Sequence, residues 1–234
     1  MKKTTADVWH KESVDKPQVY NIWTFNSRDT RLGEQHEGNI PGQIMLNLLY
    51  YYTTKDDLVI DPMAGGGSTI DACLVMGRKC RAYDIKGDSK KGIEERDLVK
   101  DGFAKETKNS QLVFLDPPYW KQKKGSYTEQ ETDLSNMPLE KFYTSMNNIF
   151  KGAYGILKKG GYIAVIISPT QEKGVIYDHA IKFYEMLLKV GFTFVNRIIV
   201  PYTTQQVKAF DITDARKGKY MLKLYRDLLI FKKK

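Results

Sequence analysis

The sequence predicts an α/β protein built on a parallel sheet, and three stretches predict it. Residues 112–115, Leu-Val-Phe-Leu, form a short unbroken apolar run, the pattern of a strand covered on both faces. Residues 57–69, Asp-Leu-Val-Ile-Asp-Pro-Met-Ala-Gly-Gly-Gly-Ser-Thr, read as a strand, a glycine turn and the start of a helix. Asp84 ends a second strand, residues 79–85, and follows Asp61 by 23 residues. At that spacing an acidic side chain meets ribose hydroxyls in nucleotide-binding βαβ units.

Composition narrows the function classes. A chain of 234 residues suits one domain with a full core and is short for two. The net charge of +9 favours a polyanionic partner, nucleic acid or an acidic membrane surface. The two cysteines, Cys73 and Cys80, sit in apolar contexts, so no disulfide scaffold is expected and a reduced, cytoplasmic setting is. Three scattered histidines and no Cys-x-x-Cys give no metal-ligand spacing, and no metal is expected. The Met-Lys-Lys start has no apolar signal core and no run approaches membrane-spanning length, so neither a leader nor a membrane partner is expected.

Taken in order, residues 1–38 form a polar N-terminal arm with aromatic landmarks at Trp9, Tyr20, Trp23 and Phe25. A single domain is expected from 39 to 234. Gln43 to Tyr52 carries Met45, Leu48, Leu49 and Tyr52 on one stripe, an amphipathic helix preceded by a loop with Pro41. Leu58 to Ile60 make a buried strand with Asp61 at its carboxyl end. Gly65, Gly66 and Gly67 permit a tight turn with positive φ and close backbone approach to a ligand, and Ser68 and Thr69 open a helix running to Gly77. No Gly-Lys-Ser/Thr follows, and the glycine spacing is not Gly-x-Gly-x-x-Gly. A Walker phosphate loop is therefore excluded and dinucleotide binding disfavoured.

Residues 86–92 are too short and glycine-rich for the helix expected after the second strand, and Ile93 to Leu98 read as a weak third strand. The fourth strand must stop at Asp116, because neither Pro117 nor Pro118 can donate to a ladder. Residues 121–137 read as a polar loop. Pro138 starts a helix to Leu157 with Phe142, Met146, Ile149 and Phe150 as its apolar stripe. A strand follows over Tyr162 to Ile167, then a helix over Val175 to Val190 closed by Gly191, and strands over Phe192 to Val200 and Leu224 to Phe231. Residues 203–222 are a polar insertion. The final 34 residues carry nine Lys or Arg against three Asp, which makes that insertion the best candidate for a nucleic-acid-facing surface.

The chemistry of the fourth strand's end follows from its residue types. The exocyclic amine of adenine or cytosine is a poor nucleophile because its lone pair is delocalised into the ring. Asp116 and the carbonyl of Pro117 both accept hydrogen bonds from such an NH2 group, which biases the nitrogen toward tetrahedral geometry and frees the lone pair. This is orientation and electrostatic preorganisation rather than covalent catalysis. Tyr119 offers a flat face for an unstacked base.

Asp116-Pro117-Pro118-Tyr119 resembles the signature of the DNA amino-methyltransferases, which methylate adenine N6 or cytosine N4 with S-adenosylmethionine. Asp61-Pro62-Met63-Ala64-Gly65-Gly66-Gly67-Ser68-Thr69 is similar to their cofactor motif, Asp-Pro-Phe-x-Gly-x-Gly-Thr-Thr. Here Met63 replaces the usual Phe and Gly66 adds a third consecutive glycine. The resemblance runs from about Asn39 to Phe231. It implies a Rossmann-like seven-stranded methyltransferase sheet with helices on both faces and an antiparallel last strand.

It also implies site roles. Ile40 and Pro41 lie against the methionine end of S-adenosylmethionine, Asp61 meets its ammonium, the glycine turn passes under ribose and carboxylate, Asp84 takes the ribose, and Ile85 beside it also contacts the cofactor. Asp97 has two readings, a partner of the adenine amine or a solvated charge. Asp in the first motif position is more typical of N6 enzymes, so adenine N6 in double-stranded DNA is the preferred acceptor, methylated as a flipped-out base. N4-cytosine methylation, an RNA acceptor (adenine N6 or guanine N2) and an inactive subunit of a heteromeric methyltransferase are the alternatives. Trp120, Lys121, Lys123, Lys124, Lys208, Arg216, Lys217 and Lys219 are the candidate nucleic-acid contacts. Only 121–137 and 203–222 are available for target recognition. That leaves low sequence specificity, a homodimer reading a short site, or a separate specificity subunit.

Overall fold

The computed structural model describes residues 17–25, 28–34, 40–121, 131–172, 175–202 and 208–234. Trp9, Lys123 and Lys124 lie outside these. The strands are β1 (Leu58–Asp61), β2 (Lys79–Asp84), β3 (Ile93–Glu95), β4 (Ser110–Leu115), β5 (Leu157–Ile167), β6 (Thr170–Glu172), β7 (Val175–Tyr177), β8 (Phe192–Pro201) and β9 (Tyr225–Lys233). The helices are α1 (Gln43–Tyr52), α2 (Ser68–Met76), α3 (Leu98–Asp101), α4 (Leu139–Ile156), α5 (His179–Val190) and α6 (Ala209–Gly218).

Seven strands form one sheet in the order β3-β2-β1-β4-β5-β9-β8. The first five run parallel, and β9 lies antiparallel between β5 and β8. The expected sheet, helices on both faces and an antiparallel last strand, is the one observed.

Period-two alternation explains why the central strands read as continuous apolar runs. Val113 and Leu115 of β4 face one core layer with Phe142, Met146 and Phe150 of α4 and Phe183 of α5. Leu112 and Phe114 face the other layer, with Leu48 and Leu49 of α1 and Ala72 of α2. Ile60 and Val59 divide in the same way on β1.

The described part of the N-terminal arm joins this second layer through Trp23 and Leu32. Trp23 is 2% and Leu32 0% exposed. Trp23 N–H donates to the Ile199 carbonyl at 2.9 Å, and Ile22 bridges Ile199 in parallel. No helix among the described residues is long and apolar enough to cross a membrane.

Four boundaries differ from expectation. Residues 175–177 are not helical but pair with β6 as a hairpin. The helix waits for Asp178, whose side chain accepts from Ile181 N–H at 3.2 Å, because an N-cap satisfies donors that no earlier turn can reach. The third strand stops at Glu95, since Asp97 caps α3. β5 begins at Leu157, with Gly160 at φ +78 and a register shift against β4 between Ser110 and Leu112. The insertion is partly helical, as α6. Between β2 and β3 a 3-10 turn, Ser89–Lys91, stands where a helix would otherwise cross.

Candidate active site

Two corners of the sheet build the site. The first follows β1. Gly65 at φ +46 and Gly67 at φ +80 turn the chain into α2, conformations that side chains other than glycine adopt at a cost. Ala64 N–H donates to the Tyr83 carbonyl at 2.9 Å, and Asp84 accepts from Gly65 N–H at 3.0 Å and Lys86 N–H at 3.2 Å. β2 therefore clamps the turn, and Asp84 remains partly accessible.

Asp61 is 3% exposed and accepts from Met63 N–H at 3.1 Å and from the Thr69 hydroxyl. Burial pushes its carboxyl up to about 6 against the pull of those hydrogen bonds, and Asp84 nearby raises it further. Met63 packs partly buried against the core where the motif usually has Phe, and Ile40 and Pro41 stand at the start of α1, with Ile40 6% exposed.

A strap from the arm closes over this turn, and nothing in the sequence motifs signals it. Glu34 N–H and the Lys91 ammonium both donate to the Gly66 carbonyl, at 3.0 and 2.8 Å. Gly33 N–H donates to Asp71 at 2.7 Å, and Arg28 binds the Leu32 and Gly33 carbonyls. A side chain at Gly33 would put Cβ 2.2 Å from Ser68 Oγ, so only glycine permits this approach.

Beyond β2 and β3 lies a cleft of about 460 Å³ lined by Ile85, Glu95, Arg96, Asp97, Lys100 and Thr132, among others. Asp97 faces the cleft, and its Oδ1 caps α3 by accepting from Val99 and Lys100 N–H at 3.0 and 3.1 Å.

The second corner follows β4. Val59 pairs with Leu112 and Ile60 with Val113, so β1 and β4 end side by side at the carboxyl edge. Asp116 keeps a partly accessible surface, but protein surrounds it on most sides. That desolvation lifts its carboxyl to about 7. Arg226 pulls it back down, Asp61 pushes it up, and the nearby Tyr119 hydroxyl lowers it. Burial likewise drives the Tyr119 hydroxyl well above its ordinary value, with the Asp116 carboxylate adding to the effect.

Trp120 belongs elsewhere. The expectation that it meets nucleic acid does not fit its position. It is 3% exposed, its indole N–H donates to the Met137 carbonyl at 2.9 Å, and its ring packs edge-on against Tyr177 and His179. His179 in turn lies between the Tyr143 hydroxyl at 2.9 Å and Thr170 Oγ1 at 2.7 Å, and burial depresses it to about 4. Trp120 is the core anchor that pins the loop after Tyr119.

Lys121 holds its ammonium 4.8 Å over the same ring. Lys208, Arg216, Lys217 and Lys219 are exposed on or beside α6, away from both corners in sequence. Among the described residues no cluster of three or more His, Cys, Asp or Glu side chains is arranged to hold a metal ion.

Fold and corners together define the Rossmann-like methyltransferase class, with the strand order above and the ligand edge at the carboxyl ends of β1 and β4. The chain belongs to the DNA methylase family, whose model matches residues 1–95 and 110–234. TrmN from Thermus thermophilus is similar in fold at 13% identity and a TM-score of 0.50, over 85% of this chain and 50% of TrmN. The chain thus spans about half the length of that relative. A SAM-dependent methyltransferase from Methanosarcina mazei matches at 11% identity and a TM-score of 0.51, over 80% of this chain and 96% of its own. No curated protein sequence matches the chain.

Proposed function

We propose that this protein transfers a methyl group from S-adenosylmethionine to the exocyclic amine of a base extruded from double-stranded DNA, with adenine N6 as the acceptor. The observation that carries this reading is the pairing of β1 with β4, which sets the Asp61 and Asp116 corners side by side at one edge.

The residues present suit the cofactor. Asp61 is a buried carboxylate whose raised affinity for a proton marks a demand for positive charge, which the cofactor's ammonium meets. Asp84 takes the ribose hydroxyls and Ile85 contacts the cofactor beside it, a reading supported by the strand-end position of Asp84 and by the cleft that Ile85 and Asp97 line. When bound, S-adenosylmethionine supplies an electrophilic sulfonium methyl.

The protein's own contribution is geometric and electrostatic. Asp116 and the Pro117 carbonyl accept hydrogen bonds from the amine, Pro118 keeps the corner rigid, and Tyr119 lies along the base. With its carboxyl at about 7, Asp116 is also able to take the proton that the amine releases near neutral pH.

Lys208, Arg216, Lys217 and Lys219 supply phosphate contacts. Around them Phe210 and Met221 are 75% and 89% exposed, apolar side chains of the kind that wedge between unstacked bases.

The test is methyl transfer from labelled cofactor to defined DNA and RNA, followed by identification of the modified nucleoside. N6-methyladenine in the duplex DNA is the expected product. N4-methylcytosine, or label confined to RNA, reassigns the acceptor. A chain that binds no S-adenosylmethionine overturns the reading.

A further inference from the structure

The acceptor corner contains a charge that its motif does not supply. Arg226, the second residue of β9, is 6% exposed. Its buried Nε meets no hydrogen-bond acceptor among the described residues. The Tyr202 ring covers one face of the guanidinium at 3.7 Å. Burying a guanidinium without a carboxylate partner is unfavourable unless something else gains. Its neighbour Asp227 does not provide that gain, since Asp227 Oδ1 takes Arg197 Nε at 2.7 Å and alternates to the other face of the strand. Strand alternation puts Arg226 on the face of Leu228 and Ile230, the same face that Leu112 and Phe114 take on β4 and that Asp116 continues, so it lies on the side of the sheet where the Asp116 carboxylate and the Tyr119 hydroxyl would grip an amine.

We infer that Arg226 is a positioning residue of the acceptor site, the counter-charge that lets the buried Asp116 work as an anionic hydrogen-bond acceptor and that orients the Tyr119 hydroxyl toward it. The inference rests on the proposed methyl transfer for its consequence and on the cluster's geometry for its existence. The charged and titratable groups facing Asp116 are few: Asp61 from β1, Arg226 from β9 and Tyr119 from its own loop, with Tyr202 facing the last two. Among the described residues only Arg226 is positive. It thus opposes burial and the repulsion from Asp61 without cancelling them, and it does so from a strand more than a hundred residues further along the chain.

The test separates the two readings. The carboxyl 13C resonance of Asp116, assigned by its loss in Asp116→Asn, is titrated in the wild type and in Arg226→Gln, with the pH profile of methyl transfer measured alongside. In Arg226→Gln the midpoint is expected to rise by about one pH unit, because removing a nearby opposite charge ordinarily raises a carboxyl by about that much. The acid limb of kcat/KM is expected to move with it, and Arg226→Lys is expected to restore most of the shift. If Arg226→Gln does not fold, Arg226→Met, which keeps the unbranched stem and removes the charge, moves the same midpoint in the same direction. An Asp116 midpoint unchanged in the folded variant overturns the inference. A shifted midpoint in a protein that methylates nothing overturns the proposed function and leaves the role of Arg226 intact.

Discussion

At the scale of single residues, the site is defined by carboxyl groups largely enclosed by protein, and that has consequences in pH. Asp61 and Asp116 hold protons more tightly folded than unfolded, at about 6 and about 7 against an ordinary 3.8. The stability they contribute is complete below 3.8 and is lost as pH rises through those values. His179 acts in the opposite sense. Depressed to about 4 from 6.5, it contributes stability above 6.5 that is lost as pH falls toward 4. Asp116→Asn is therefore expected to stabilise the protein without ligand at pH 8 by on the order of 2–4 kcal/mol and to leave it unchanged near pH 4, read as Tm by calorimetry. Methyl transfer follows the other half of the same equilibrium. Since only the carboxylate accepts from the amine, kcat/KM is expected to fall about tenfold per pH unit below an apparent value near 7.

At the scale of elements, the strap over the glycine turn and the helix in the β8–β9 insertion carry the next predictions. Gly33→Ala adds a Cβ 2.2 Å from Ser68 Oγ at a φ of +67. A cost of about 1–3 kcal/mol and weaker cofactor binding by calorimetry are expected, because the strap must lift from the Gly66 carbonyl. Replacing Lys217 and Lys219 together by Ala is expected to weaken nucleic-acid binding across all sequences. It also lowers the slope of log K against log salt by about 1 per lost phosphate contact, measured by fluorescence anisotropy.

These elements differ in how plainly the sequence announces them. β1 and β4 are legible because a strand covered on both faces needs an unbroken apolar run, and the glycine turn is legible because positive φ is a local demand. Val175 to Tyr177 misleads, since Val-Ile-Tyr continues the apolar stripe of α5 and only the cap at Asp178 separates hairpin from helix. Gly33, Arg28 and Arg226 are not legible at all. Each acts through a contact with a distant segment, and no local pattern encodes it. Trp120 was misassigned for the same reason: next to an acceptor motif an aromatic reads as a base contact, whereas its partners Met137, Tyr177 and His179 are visible only in three dimensions.

At the scale of the whole molecule, the sheet order sets two different corners on neighbouring strands and so divides the work between them. The β1–β2 side, through Asp61 and Asp84, is assigned to the methyl donor, and the β4 corner, through Asp116, to the acceptor. That division is the central claim. It is tested most directly by titration calorimetry of S-adenosylmethionine with Asp61→Asn, Asp84→Asn and Asp116→Ala, alongside turnover for each. The account predicts affinity at least about tenfold weaker for the first two, affinity within about twofold of the wild type for Asp116→Ala, and turnover lost by about a hundredfold or more in that last variant. Equal loss of cofactor affinity in all three, or turnover that survives Asp116→Ala, would contradict it.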